Sequence, residues 1–250
     1  MVTTCNQKNW DVTTDVNELN SFPLVKLGSR HQPIAHGTVV EMFNNQLADR
    51  KLEAVKSVGM LSKDHMKYIY VCDIVDNEDA KQHDDYVFTV GFVNYNNKQK
   101  AFTGLYGERV FVCSNEMYRG EDVEFRRKHT TGLCEDVLME KVNYIIDHFY
   151  QFKQERLLEI ERLKNCQFTD RMLGDTILAM TRQGVVGNTN ILNVVREFDH
   201  PRHEEFRERN AWNFQQAFTE MLKNVEDPTR RIAATNKMKD IIIDVTGINR

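Results

Sequence analysis

Hydrophobic positions in the first half of the chain follow the two-residue period of β-strands. Apolar side chains share one face of segment 52–61, and an aromatic and β-branched run covers 68–75. Similar runs occupy 86–95 and 101–113. Polar segments that suit turns separate the four runs, a combination typical of antiparallel strands. We therefore predict a meander of about four strands.

Apolar residues recur at helical spacing on both sides of these strands. Segment 38–47 predicts a short amphipathic helix with Thr38 as its N-cap. Segment 133–164 predicts one helix roughly 48 Å long, at a rise of 1.5 Å per residue. After residue 168 every periodic segment is helical. The predicted fold class is α+β: the antiparallel meander is backed by the long helix and followed by an all-helical C-terminal region.

The four prolines mark predicted joints of the chain, because proline disrupts helix interiors and central strands. They occur at positions 23, 33, 201 and 228. With the periodicity, they predict an N-terminal arm over residues 1–30, an α+β core domain over 31–165 and a helical region over 166–250.

Composition and charge narrow the class of protein. The 250 residues are 41% hydrophobic and carry a formal net charge of -4. No apolar run is long enough to span a membrane, and no apolar segment of a signal peptide follows Met1, so we predict a cytoplasmic protein that contacts no membrane. The five cysteines form no Cys-x-x-Cys pair, which indicates free thiols. Because the chain is acidic, any binding of nucleic acid requires a local cationic groove.

The common catalytic motifs are absent from the sequence. It contains no glycine-rich nucleotide-binding loop, no G-x-S-x-G and no H-E-x-x-H. We therefore predict that the chain is not an enzyme and has no catalytic residues, no cofactor and no metal site.

Three further patterns each have a chemical and a structural interpretation, and we favour the structural one each time. Cys113 and His129 could form a nucleophile and its base, but Cys113 also suits the end of a core strand. The histidines and carboxylates of 200–205 could hold a metal, but a solvated loop explains them. Segment 177–198 could be a helix-turn-helix, but its break is long and a plain helical hairpin fits better.

The most informative pattern is a basic cluster that precedes the predicted long helix. Guanidinium groups beside a helix N-terminus suit phosphate oxygens, although carboxylates at 116–124 are close in sequence. Tyr95, Tyr106 and Tyr118 offer rings on which bases could stack. The candidate nucleic-acid-binding residues are Arg109, Tyr118, Arg119, Arg126, Arg127, Lys128 and His129.

Several short motifs together resemble a known family. They are SRHQP at 29–33, the hairpin at Asn94, the strand RVFVCSN at 109–115, KHTTG at 128–132 and NAWNFQQAFTE at 210–220. Together they resemble the family catalogued as domain of unknown function 932, found in phages, plasmids and other mobile elements. His31 stands where that family tends to have an aromatic residue.

This resemblance implies a phage-encoded protein. A meander backed by a helix is also similar, remotely, to ring-forming single-strand annealing proteins of the Rad fifty-two type, which hold single-stranded DNA in a basic groove without hydrolysing nucleotides. The first hypothesis is therefore a single-stranded DNA-binding protein that assists annealing, recombination or replication and could assemble as a homo-oligomer. The second is an accessory protein that binds a host protein, as an anti-defence or host-takeover factor.

Overall fold

The structure of the chain, a computed structural model, describes residues 9–76, 86–110, 115–119, 128–185 and 187–248. The chain divides into two compact units. Unit 1 comprises residues 1–108 and 120–150, and unit 2 comprises residues 109–119 and 151–250.

Unit 1 contains a sheet and the helices that cover it. Its strands are β1 (Trp10–Val12), β2 (Leu52–Ser62), β3 (Lys67–Asp76), β4 (Tyr86–Tyr95) and β5 (Thr103–Val110), whose last two residues belong to unit 2. Its helices are α1 (Val16–Ser21), α2 (His36–Asp49) and α3 (Glu135–Asp147).

Strands β1 to β5 lie side by side in chain order. Strands β1 to β4 pair antiparallel, with Trp10 opposite Ser62 and Tyr70 opposite Phe92. A bulge interrupts the β2–β3 pairing between Ala54 and Lys56. Sequential antiparallel pairing needs only short connections. The predicted meander is confirmed, and β1 adds a strand that the periodicity did not predict.

Two helices pack on this sheet through contacts made by aromatic side chains. The ring of Phe43 in α2 lies 5.3 Å from that of Phe92, measured between centroids. The Tyr106 hydroxyl of β5 donates a hydrogen bond of 2.7 Å to the carbonyl oxygen of Ile145 in α3. Each buried Phe side chain contributes about 1.5–3 kcal/mol of transfer free energy. These contacts confirm that the meander is backed by helix.

The start of α2 differs from the prediction. Thr38 is not its N-cap, because the helix begins at His36 with Ala35 before it. Asn20 in α1 supplies the cap instead: its Oδ1 accepts a hydrogen bond of 2.9 Å from the Thr38 backbone N–H. A polar side chain from another helix thus satisfies a free donor of the first turn.

The predicted N-terminal arm is folded from residue 9 onward. Strand β1 pairs with β2, and Leu19 in α1 is buried against unit 1. Asp15 caps α1 by accepting from the backbone N–H groups of Asn17 and Glu18. Burial of Leu19 explains why this polar segment belongs to unit 1 rather than forming a separate arm.

The predicted single helix over 133–164 is two helices. Helix α3 ends at Asp147, and α4 (Phe149–Asn165) begins after His148. The His148 ring lies against Tyr144, and its Nδ1–H donates to the Tyr144 carbonyl oxygen at 2.9 Å. Insertion of a side-chain donor into the backbone ladder is a known cause of helix breaks. The boundary between the two units, at residues 150 and 151, therefore lies near this break rather than at the predicted residue 165.

Unit 2 is mainly helical, as predicted for the C-terminal region. Besides most of α4, it contains strand β6 (Asn115–Arg119), α5 (Asp170–Gln183), α6 (Asn188–Asp199), a 3₁₀ turn (Glu204–Phe206), α7 (Ala211–Leu222) and α8 (Pro228–Thr246). Stacked rings of Phe168 and Phe214, with Phe198 edge-on to both, form its aromatic core. The segment predicted as a helical hairpin is the pair α5 and α6.

Candidate nucleic-acid interface

The predicted site residues fall into two groups. Lys128 and His129 belong to unit 1, and Arg109, Tyr118 and Arg119 belong to unit 2. Arg109 is half-buried in β5, and the other two lie in β6. Arg126 and Arg127 lie outside the described residues, as does Cys113 of the alternative nucleophile pair. The part of the site with a defined geometry is therefore Lys128, His129 and their surroundings in unit 1.

Backbone hydrogen bonds join the segment of Lys128 and His129 to the segment around His31. His31 forms an isolated antiparallel bridge with Thr130. The Gln32 N–H donates to the His129 carbonyl oxygen at 3.3 Å, and the Thr131 N–H donates to the Arg30 carbonyl oxygen at 3.0 Å. Two of the motifs that carry the family resemblance, at 29–33 and 128–132, are thus paired in space.

The turn between β4 and β5 is the third segment of this region. Asn96 binds both backbone groups of Ile34: its Oδ1 accepts from the Ile34 N–H at 2.9 Å, and its Nδ2 donates to the Ile34 carbonyl at 2.8 Å. Lys98, which has a left-handed backbone with φ of 64°, donates from its ammonium group to the Leu27 carbonyl oxygen. The Asn94 hairpin of the resemblance therefore lies beside the segment of the first motif, which in turn pairs with 128–132.

These three segments carry only positive charge. Residues 22–34, 94–102 and 128–134 contain no Asp or Glu. No carboxylate pairs with Arg30 or Lys128 within the described ranges of the chain. We call the exposed cations of these segments the cationic surface; they are Lys26, Arg30, Lys98, Lys100 and Lys128.

A group of buried polar side chains lies in these three segments and at the start of α2. His36 of α2 has two hydrogen bonds: its Nδ1 accepts from Asn94 Nδ2 at 2.9 Å, and its Nε2–H donates to the His65 carbonyl oxygen at 3.1 Å. The rings of His31 and His129 lie 6.4 Å apart between centroids. We call His31, His36, Asn94 and His129 the histidine cluster.

Burial keeps these imidazoles neutral near pH 7. Loss of hydration lowers the pKa of His36 to about 4, although the hydrogen bond to the His65 carbonyl opposes this change. Burial also lowers the pKa of His129 to about 4 and the nearby His31 adds to the effect, whereas a weak hydrogen bond with the Gln32 backbone opposes it. The pKa of His31 is lowered by burial and by the charge of Lys98. Charging any of the three requires a compensating anion.

Several polar atoms of the histidine cluster have no hydrogen-bond partner among the described residues. They are Nε2 of His31, both ring nitrogens of His129 and Oδ1 of Asn94. His31 is 2% exposed and His129 is 5% exposed. Buried polar groups in proteins are nearly always paired, so this concentration of unpaired atoms sets the cluster apart from an ordinary polar core.

Two tyrosines that could have stacked bases are core residues instead. Tyr106 is 7% exposed, with its hydroxyl bound to Ile145, and Tyr95 is 2% exposed. Neither ring presents a face to a nucleic acid, so the stacking role predicted for Tyr106 is wrong. Both positions lie on strands that are buried on both faces, where the two-residue period carries no information about exposure.

The metal-site interpretation of segment 200–205 receives no geometric support, and the pair of Cys113 and His129 lies partly outside the described residues. Among the residues that the structure describes, no group of three or more His, Cys, Asp or Glu side chains is placed to hold a metal ion. In segment 200–205, His203 packs its ring against Phe206 instead. Arg202 of the same loop forms ion pairs with Glu197 and Glu220, so these carboxylates bind a cation of the chain itself.

Four cations of the surface were not predicted from the sequence: Lys26, Arg30, Lys98 and Lys100. The sequence does contain a pattern that could have identified these cations. The three segments that fold together lack carboxylates, although the whole chain is acidic. Their proximity depends on side-chain to backbone bonds such as those from Asn96 to Ile34, across 62 positions. Such contacts are not visible in periodicity.

In the described part of the chain, no helix is both long and apolar enough to cross a membrane. No protein-family model matches the chain, and neither a curated protein nor a solved structure matches it. The resemblance to the mobile-element family therefore rests on the quoted motifs alone.

Proposed function

We propose that the chain binds single-stranded DNA through the cationic surface and assists strand annealing, recombination or replication without hydrolysing a nucleotide. The observation that carries the proposal is the assembly of Lys26, Arg30, Lys98, Lys100 and Lys128 from three segments that contain no carboxylate.

Local charge explains how a chain of net charge -4 can bind a polyanion. Cations that contact phosphates release condensed counterions, and this release supplies most of the sequence-independent affinity. The acidic remainder of the chain disfavours adhesion elsewhere, because like charges repel the strand. The cationic surface therefore acts as a local site rather than as a uniform coating.

The remaining predicted residues extend this proposal. Arg126 and Arg127 directly precede Lys128 in the chain, so they add two cations to its segment. Arg109 and Arg119 would contact phosphates in unit 2, with Tyr118 stacking on a base. The choice of single-stranded DNA over duplex or RNA comes from the family resemblance. Competition among the three nucleic acids tests that choice.

Salt dependence of binding tests the proposed surface. Fluorescence anisotropy with a labelled single-stranded oligonucleotide would be measured over a series of KCl concentrations. Each phosphate contact contributes about 0.7 to the slope of log affinity against log salt for single strands. Replacing Arg30, Lys98 and Lys128 by Ala should therefore reduce the slope by roughly 2.

A matched control uses three exposed arginines of unit 2, Arg171, Arg182 and Arg230. Their replacement by Ala removes the same charge and should leave the slope close to that of the unmodified chain. Equal slopes for both triple variants would show that net charge, rather than the cationic surface, determines binding.

Exposed apolar residues favour the second function, binding of a host protein. Leu24, Val25 and Leu27 are 49%, 47% and 40% exposed, and they are close in sequence. Apolar residues grouped on a surface often mark protein interfaces.

Size-exclusion chromatography with light scattering distinguishes the two functions and also detects a homo-oligomer. An oligomer that co-elutes with the oligonucleotide supports the first function; a monomer or dimer indifferent to it supports the second.

A further inference from the structure

His31 and His129 present two hydrogen-bond donors beneath the cationic surface. The Leu27 backbone N–H donates to His31 Nδ1 at 3.0 Å, so neutral His31 carries its proton on Nε2. That Nε2–H group has no acceptor among the described residues. Neutral His129 has one N–H and one lone pair, and neither makes a hydrogen bond of normal geometry in the same part of the chain, although a weak one with the Gln32 backbone is present. The two rings therefore have hydrogen-bonding capacity that the described chain does not fully use.

The surroundings determine which kind of ligand would satisfy these donors. The charged groups of the three segments are Lys26, Arg30, Lys98, Lys100 and Lys128, and the neighbouring histidines His36 and His65 are also cations when charged. A positively charged ligand would be repelled. A neutral ligand such as water could accept a hydrogen bond but would not offset these charges. An anionic oxygen does both.

We propose that His31 and His129 together bind one phosphate group, and that His129 takes up a proton from solvent when the phosphate binds. This inference rests on the proposed function, and it identifies the residues that receive a phosphate of the strand.

Proton uptake follows from the hydrogen-bonding capacity of the histidine cluster. Protonated His129 has two N–H donors, one for the phosphate oxygen and one for a second acceptor. The Gln32 backbone is that second acceptor, since a hydrogen bond with it already raises the pKa of His129 against the effect of burial. Binding of the phosphate thus supplies the anion that buried His129 lacks, and the imidazolium form gains partners that the neutral form does not have.

The test measures affinity and proton uptake together. Binding of the oligonucleotide would be measured at pH 7.5 and pH 5.5 at fixed ionic strength, with calorimetry in two buffers of different ionisation enthalpy. If bound His129 regains its ordinary pKa, affinity should increase about tenfold at pH 5.5, with uptake of close to one proton. His129→Asn should abolish both effects, whereas His200→Asn, at an exposed histidine, should keep them.

The wild-type chain provides a measurement that does not depend on how the variant folds. The imidazole signals of His129 would be followed by NMR against pH, with and without oligonucleotide. We expect the pKa of His129 to rise toward its ordinary value in the complex. An unchanged pKa, or equal affinity at both pH values without proton uptake, overturns this inference and leaves the proposed function standing.

The source of the phosphate group is distinguished by two further ligands. An oligonucleotide with uncharged methylphosphonate linkages should bind far more weakly and cause no proton uptake. Inorganic phosphate alone should shift the His129 signals at millimolar concentration. If inorganic phosphate does so while the oligonucleotide does not bind, the phosphate site stands and the proposed function fails. If neither ligand binds at either pH, both fail.

Discussion

Gly91 in β4 lies against the main chain of Tyr70 in β3, because a Cβ atom on residue 91 would be 2.0 Å from the Tyr70 carbonyl oxygen. The atom in the way belongs to the backbone, so a rotamer change cannot relieve the overlap. Gly91→Ala should therefore separate the two strands locally and lower the free energy of unfolding by about 3 kcal/mol. Urea denaturation followed by circular dichroism measures this change.

Gly174 in α5 provides the matched control for Gly91. It is exposed, and a Cβ atom there meets no other atom of the described residues within 4 Å. Gly174→Ala should raise the free energy of unfolding by about 0.5–1 kcal/mol, since alanine is the better helix former. If both variants lose a similar amount of unfolding free energy, the close approach of Gly91 to Tyr70 is not the cause of the loss.

Tyr106→Phe separates the structural role of this residue from the base-stacking role. Removal of the hydroxyl loses the bond to the Ile145 carbonyl oxygen and should cost about 1 kcal/mol of unfolding free energy. The affinity for single-stranded DNA should not change, because the ring is buried. A variant with weaker DNA binding and unchanged stability would restore Tyr106 as a contact residue.

Stability should decrease in mild acid because of His36 and His129. Both have a pKa lowered to about 4 in the folded chain, whereas the unfolded chain has the ordinary value. The unfolded chain binds more protons between pH 6.5 and 4, so this part of the stability is fully present above pH 6.5 and is lost as pH falls toward 4. At pH 5 each histidine should account for a loss of about 2 kcal/mol.

Denaturant midpoints at pH 7.5, 6.5, 5.5 and 4.5 measure this dependence. His36→Gln should flatten part of the curve between pH 6.5 and 4.5, and His200→Gln should leave it unchanged because His200 is exposed. If the denaturant midpoint stays constant down to pH 4.5, burial of the two imidazoles does not make stability depend on pH.

The fold was largely predictable from local patterns because its strands are long and consecutive. The prediction for 86–95 coincides with β4, where β-branched and aromatic residues form an unbroken run. Predictions failed where a particular side-chain hydrogen bond accompanies a helix end. Asn20, 18 positions away, caps the first turn of α2 in place of Thr38, and His148 binds the Tyr144 carbonyl oxygen at the end of α3, inside the predicted long helix.

The candidate site was predictable only in part for a related reason. Lys128 and His129 are conspicuous as members of a basic run, so the sequence identifies them directly. Lys98 is an isolated cation in a turn, and its place beside Leu27 depends on contacts across 71 positions. His31 and Asn94 belong to the motifs that carry the family resemblance. Those motifs do not indicate that both side chains are buried, or that each has a polar atom unpaired among the described residues. That property follows only from three-dimensional packing.

Arg156 in α4 should be among the most sensitive positions of unit 2. Its guanidinium group is 1% exposed, lies 3.1 Å from Glu159 Oε1 and donates to Gln215 Oε1 at 3.3 Å. Arg156→Met fills much of the same volume but leaves Glu159, whose side chain is 13% exposed, without this cation. The free energy of unfolding should decrease by about 3 kcal/mol, because removing one partner of a buried ion pair is strongly destabilising.

A double variant and a surface control identify that cause. Arg156→Met combined with Glu159→Met removes both charges and should recover most of the lost stability, since apolar residues of similar volume replace buried ion pairs well. Arg171→Met removes an ion pair of 3.9 Å whose arginine is 92% exposed, and it should change stability by no more than about 0.5 kcal/mol. If the double variant is no more stable than Arg156→Met alone, the loss comes from packing against Trp212, whose ring centroid lies 5.7 Å from the guanidinium carbon.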